Sequence, residues 1–148
     1  MLDRRTAFLG LGTLVLALGL ALPLVARGTP DGGPKGAGSE TAQKCVDECL
    51  SCYRTCQDAF AYSTERGEKY VEAEHLRLLV DCAEVCKTTA DLILHRSEFY
   101  RDQCTVCSDI CERCAASCER FSGDPKMRAC TEECRRCAVS CVRTTKGT

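Results

Sequence analysis

The residues with chemistry in this chain are its cysteines: Cys45, Cys49, Cys52, Cys56, Cys82, Cys86, Cys104, Cys107, Cys111, Cys114, Cys118, Cys130, Cys134, Cys137 and Cys141, fifteen among 148 residues. Within each cluster the steps are only CxxxC, seven times, and CxxC, four times. Steps of three and four keep side chains on one face of an α-helix. That face ordinarily carries leucine and isoleucine and becomes a core; here it carries sulfur. Thiolates in such numbers are ligands for a soft metal ion.

This cysteine content also fits a secreted disulfide scaffold. The odd number counts against it, because one thiol is left over. So does the spacing. Neighbours at i,i+4 hold their Cβ atoms ~5–6 Å apart, whereas a disulfide needs ~3.5–4.5 Å. A metal between two sulfurs lengthens the bridge, with bonds of ~2.3 Å for zinc. Spacing therefore favours sulfur–metal–sulfur within a helix and leaves disulfides between helices open. Zinc prefers closed sites of four ligands, usually built from loops, and iron–sulfur clusters need loops around the cofactor. Straight helices offer sulfur pairs along a line. Cu(I) accepts two or three sulfurs, so the expected cargo is many Cu(I) ions per chain, of the order of one per thiolate.

The elements that position these residues follow from periodicity and stop signals. Helix 1 is expected from Ser39 or Thr41 to Thr64, with Gly67 as a left-handed stop and a seam of Ala42, Cys45, Cys49, Cys52, Cys56, Ala59 and Phe60. Helix 2 is expected from Glu68 to His95, with seam Val71, His75, Leu79, Cys82, Cys86, Thr89 and Ile93. Ser97 is the expected N-cap of helix 3, which runs to Phe121 with seam Tyr100, Cys104, Cys107, Cys111, Cys114, Cys118 and Phe121. Ser122-Gly-Asp-Pro125 is the clearest boundary: Asp124 caps helix 4 and Pro125 opens it. Its seam is Met127, Cys130, Cys134, Cys137 and Cys141, ending near Thr145. Short connections favour antiparallel neighbours, so the fold class is all-α, an up-down four-helix bundle with a cysteine-lined core over residues 40–146.

Arg4-Arg5 ahead of an apolar run from Ala7 to Ala26 has the layout of a secretory signal and resembles a twin-arginine leader, with one extra residue before Phe8. Residues 1–28 are expected to be a cleaved export signal, which places the protein in the periplasm. Left uncleaved, the run is long enough to anchor it in a membrane. No cysteine lies in the leader, so a lipoprotein anchor is excluded. Residues 29–39 read as a flexible Gly- and Pro-rich linker without core content. Net charge is −1 for the whole chain and about −3 without residues 1–28, which carry Arg4, Arg5 and Arg27 against Asp3. No basic run interleaves with aromatics, so a nucleic-acid partner is not expected.

CxxCxxxCxxCxxxC on helix 3, CxxxCxxCxxxC on helices 1 and 4, and the turn Leu94-His-Arg-Ser-Glu-Phe99 resemble the bacterial copper storage proteins. The resemblance covers about residues 40–145, and with the leader it points to the exported branch. It implies a bundle interior filled with Cu(I), a tetramer, and, in methane-oxidising bacteria, supply of copper to a copper-dependent methane monooxygenase. It also implies an ion entrance at one open end lined by His and Met. Antiparallel order puts His75 and Met127 at the same end, beside Cys56, Cys118 and Cys130, whereas Ile93 and Tyr100 form an apolar plug at the other. The chain carries fewer His and Met at that mouth than the family leads one to expect. His95 lies off the seam and reads as structural.

The rival functions are a copper chaperone handing over single ions, a disulfide or redox protein using CxxC pairs, and a zinc–thiolate protein. Fifteen thiols favour capacity over handover. A redox protein needs an exposed, acidified thiol near a helix N-terminus, and these sit mid-helix and inward. No triad, carboxylate pair or phosphate loop points to an enzyme.

Overall fold

The computed structural model describes residues 36–146. The leader and most of the linker lie outside the described residues. Four helices and one short 3-10 turn make up the rest: α1 Glu40–Arg66, the 3-10 turn Glu68–Val71, α2 Ala73–Leu94, α3 Tyr100–Glu119 and α4 Pro125–Lys146. Each helix packs on its chain neighbours, and α1 closes the ring against α4. The result is the expected antiparallel four-helix bundle, and no strand occurs among the described residues.

Local signals set the helix ends. Ser39 caps α1, its Oγ accepting from the Ala42 N–H at 3.2 Å. Asp124 caps α4, with Oδ1 accepting from the N–H groups of Lys126 at 2.8 Å and Met127 at 3.4 Å. Pro125 stands at the first helical position, where its missing N–H costs nothing.

Two helix starts differ from expectation. Gly67 does stop α1, its N–H reaching the Ser63 carbonyl at 3.1 Å. However, its φ of 69° comes with a ψ of −152°, an extended glycine conformation rather than a left-handed helical one. Glu68 also has positive φ. The chain therefore turns through Glu68–Val71 before α2 begins at Ala73, five residues after the expected start at Glu68. That turn exposes Val71, expected on the seam, and buries Tyr70 in its place. At the other end of α2, Arg96 takes positive φ, its N–H bonds to the Ile93 carbonyl, and the Ser97 N–H bonds to the Leu92 carbonyl. This is a Schellman closure of α2. The Ser97 hydroxyl still accepts from the Phe99 N–H at 3.3 Å, but the regular helix α3 begins only at Tyr100.

The linker also ends earlier than expected. Gly36, at φ 101°, accepts from the Ser39 N–H at 3.1 Å, and Ala37 is buried in the core. A Cβ at Gly36 would stand 3.2 Å from both the Tyr100 hydroxyl and the Arg101 guanidinium, so this turn requires glycine on two counts.

Candidate metal-storage core

The four seams converge. All fifteen cysteines are buried free thiols, each with no exposed surface. Between helices the sulfurs stand close together: Cys86 to Cys111 at 3.5 Å, Cys137 to Cys49 at 3.6 Å, Cys82 to Cys111 at 3.6 Å, Cys52 to Cys134 at 3.7 Å and Cys45 to Cys141 at 3.7 Å. These are thiol contacts, far longer than the ~2.05 Å of a disulfide.

The arrangement along the bundle is more informative than any one contact. At least five quartets have sulfurs all within 4.8 Å of one another, and these overlap in sequence down the axis. Cys56, Cys114, Cys130 and Cys134 form one. The next, Cys52, Cys56, Cys82 and Cys134, shares Cys56 and Cys134 with it. Cys52 and Cys82 are shared in turn with Cys86 and Cys111, which are shared with Cys107 and Cys137, which are shared with Cys49 and Cys141. Every quartet hands two sulfurs to the next. Cys45 extends the line beyond Cys141, 3.7 Å from it. Cys104 and Cys118, both buried, stand one helical step beyond Cys107 and Cys114 at the two ends of the α3 stripe.

The sulfurs share S–H···S contacts in which either partner can donate, as between Cys82 and Cys111 or Cys86 and Cys111. Burial disfavours the charged form of these thiols, and a bound cation offsets that cost as it displaces their protons.

The two ends differ. At the end formed by the α1 C-terminus and the α2 N-terminus, His75 and Met127 are both fully buried. His75 Nδ1 lies 2.9 Å from Ser117 Oγ, and Nε2 lies 3.4 Å from Ser63 Oγ. Burial, and secondarily the Arg120 charge, lowers its pKa, so the imidazole is neutral at pH 7 and can act as a ligand. Phe121 packs edge-on against it with ring centres 4.9 Å apart, and Tyr70 stacks on Phe121 at 4.9 Å. Tyr70 and Tyr62 both donate to Asp124 Oδ2, at 3.0 and 2.6 Å. At the other end Ile93 and Tyr100 are buried, as the plug requires. Arg101 Nη1 donates to the Thr145 carbonyl at 2.6 Å, capping the end of α4.

The sequence missed four members of the first end. Ser63 continues the seam after Cys56 and Ala59, so extending the 3-4 step would have found it. Ser117 sits one place off the seam beside Cys118. Tyr70 depends on the 3-10 turn and leaves no periodic trace, and Tyr62, which donates to the expected cap Asp124, lies off the α1 seam.

Fold and site together define a helical bundle whose interior is one continuous soft-metal ligand surface. Residues 38–146 match the copper storage protein family, and the chain belongs to it. Copper storage is the function of that family, and the clustered thiols of this chain are ligands suited to several soft ions. Among solved structures it is similar to the Nmul_A1745 protein of Nitrosospira multiformis, at 42% identity and TM-score 0.67 over 72% of this chain and 95% of that one. It is also similar to the Cu(I)-bound copper storage protein BsCsp3, at 25% identity and TM-score 0.68 over 72% and 99%. A third is the cytosolic copper storage protein of Streptomyces lividans with five coppers, at 28% identity and TM-score 0.68 over 74% and 95%.

Proposed function

We propose that all fifteen cysteines are the ligands of the stored Cu(I), and that the ions form a continuous bridged line rather than separate sites. The overlap of the quartets carries this reading, since every shared pair of sulfurs can bridge neighbouring ions. Each thiolate offsets one cation, so the buried charges roughly cancel. Capacity is then of the order of one ion per thiolate, and copper is held without being chemically transformed. Bridged sulfurs also favour storage over a chaperone's single handover.

His75 and Met127 form the entry. His75 engages hydroxyls through both ring nitrogens, so an ion must displace one of them. That suits transient passage better than residence. Arg4-Arg5 and the apolar run to Ala26 make the protein an exported, periplasmic member of its family. No helix among the described residues is long and apolar enough to cross a membrane. The assembled form is a homotetramer, and the stored copper serves a copper-dependent enzyme.

Anaerobic titration of the reduced protein with Cu(I) against a competing chelator tests the storage reading. Roughly ten or more ions per chain are expected, with a rise in melting temperature on loading. Saturation at one or two ions overturns it. The double variant His75→Ala/Met127→Ala should slow uptake more than it lowers capacity; an unchanged rate removes the entry role.

A further inference from the structure

Above the His75 end lies a pocket of about 470 Å³ whose lining is charged. Three cations face it: Arg66, Lys69 and Arg120. All three are exposed, and each also lies over an aromatic ring. The Arg66 guanidinium is 5.6 Å from the centre of Tyr70, Lys69 Nζ is 5.5 Å from Tyr70 and 5.8 Å from Phe121, and the Arg120 guanidinium is 5.4 Å from Phe121. The acids nearby are already engaged. Asp124, the one carboxylate lining the pocket, accepts from two tyrosine hydroxyls and two backbone N–H groups. Glu72 pairs with Arg120 at 2.9 Å. Three cations against the carboxylates of Asp124 and Glu72 leave a net positive charge over the aromatic pair that covers His75. That is the wrong sign for a bare cation.

We propose that this pocket is a docking site for copper arriving as a small anionic complex, a Cu(I) ion held by two thiolates. Such a complex carries net negative charge, which the pocket attracts, and it keeps Cu(I) on soft ligands until the protein thiols replace them. Transfer is ligand exchange. For the first ions, two protein thiols bind the copper and lose their protons, and the two departing thiolates take those protons and leave as thiols; for later ions, which share bridging sulfurs already deprotonated, one donor ligand leaves as thiol and the other as free thiolate. No electron moves, and the bis-thiolate charge of the first ions passes into the core. The inference rests on the storage reading, because it supplies the cargo.

Two donors with the same copper–sulfur centre and opposite outer charge test it: the Cu(I) complexes of mercaptoacetate and of cysteamine. Initial transfer to the apo protein is followed by rapid desalting and copper analysis. From the mercaptoacetate donor, Arg66→Gln/Lys69→Gln should slow transfer by on the order of tenfold. From the cysteamine donor the rate should hold or rise, and Arg66→Lys/Lys69→Arg should restore the wild-type preference. In the wild-type protein, raising ionic strength from about 0.01 M to about 1 M should slow only the anionic donor, which keeps the test decisive if the double variant folds poorly. Equal change with both donors, or none with either, overturns the docking site. Wild-type capacity is measured in the same series. Saturation at one or two ions sinks the storage reading whichever way the donor preference falls.

Discussion

The two ends of the bundle are closed by different chemistry. One is closed by packing: Tyr100 and Ile93 fill it, the Gly36–Ser39 turn lays Ala37 over it, and Arg101 ties α3 to the last carbonyls of α4. The other is closed by a polar and aromatic cover: a four-residue 3-10 turn carries Tyr70 onto Phe121, and hydroxyl–carboxylate bonds and cations hold it there. A side chain buried in a core comes free only with the loss of much of its burial energy. A cover on a short turn can open locally, because few apolar contacts hold it. The difference gives a tube of equivalent sulfurs a direction.

The largest effect should come from removing the two tyrosines separately. Tyr100→Ala leaves a cavity in the packed end and should cost about 3–5 kcal/mol of apo stability, read from denaturant melts. Its effect on the initial copper uptake rate should be small. Tyr70→Ala removes one stacked ring and one hydrogen bond and should cost roughly 1–3 kcal/mol, while uptake becomes faster. If Tyr100→Ala accelerates loading as much as Tyr70→Ala does, the two ends are equivalent entrances and the direction is lost.

A second comparison uses the sulfurs themselves. Cys118→Ser/Cys130→Ser removes the pair nearest His75, and Cys45→Ser/Cys104→Ser removes the pair at the packed end. Each should lower capacity by roughly two ions. Only the first should delay the start of loading, because copper meets those thiols before any others. Time courses of uptake with matched end-point titrations separate rate from capacity, and equal delays would argue for filling from both ends.

The tube itself was legible because its signal repeats. The stripe from Cys104 to Cys118 states helix, face and ligand in one pattern, and Asp124-Pro125 marks a boundary with residues of fixed conformational meaning. The features that distinguish the ends were not legible, because they depend on single backbone events. Glu68 takes positive φ without being glycine, so the expected helix through Val71 becomes a turn and Tyr70 rather than Val71 faces inward. Arg96 does the same after α2, so a Schellman turn stands between α2 and the start of α3 at Tyr100. Periodicity reports which face of a helix is inside. It is silent where a helix starts one turn late, and at this protein's mouth that is where the cover is built.

The smallest predicted effect concerns what holds that cover in acid. Burial disfavours the charged form of Asp124, but hydrogen bonds from Tyr62, from the Lys126 N–H and from Tyr70 outweigh it, so its pKa lies below the ordinary carboxylate value. A carboxyl depressed on folding contributes stability that is present above its unfolded pKa of about 3.9 and is lost as pH falls through the folded value. Asp124→Asn keeps a capping oxygen but not the charge, and should cost on the order of 1 kcal/mol at pH 7. The gap between wild type and variant, followed by apo-protein melting temperature, should be constant from neutral pH down to about pH 5 and then close as the carboxyl is protonated. A gap that persists unchanged to the lowest pH at which both proteins fold would mean that Asp124 holds Tyr70 by geometry alone, and that the cover's resistance to opening does not depend on its charge.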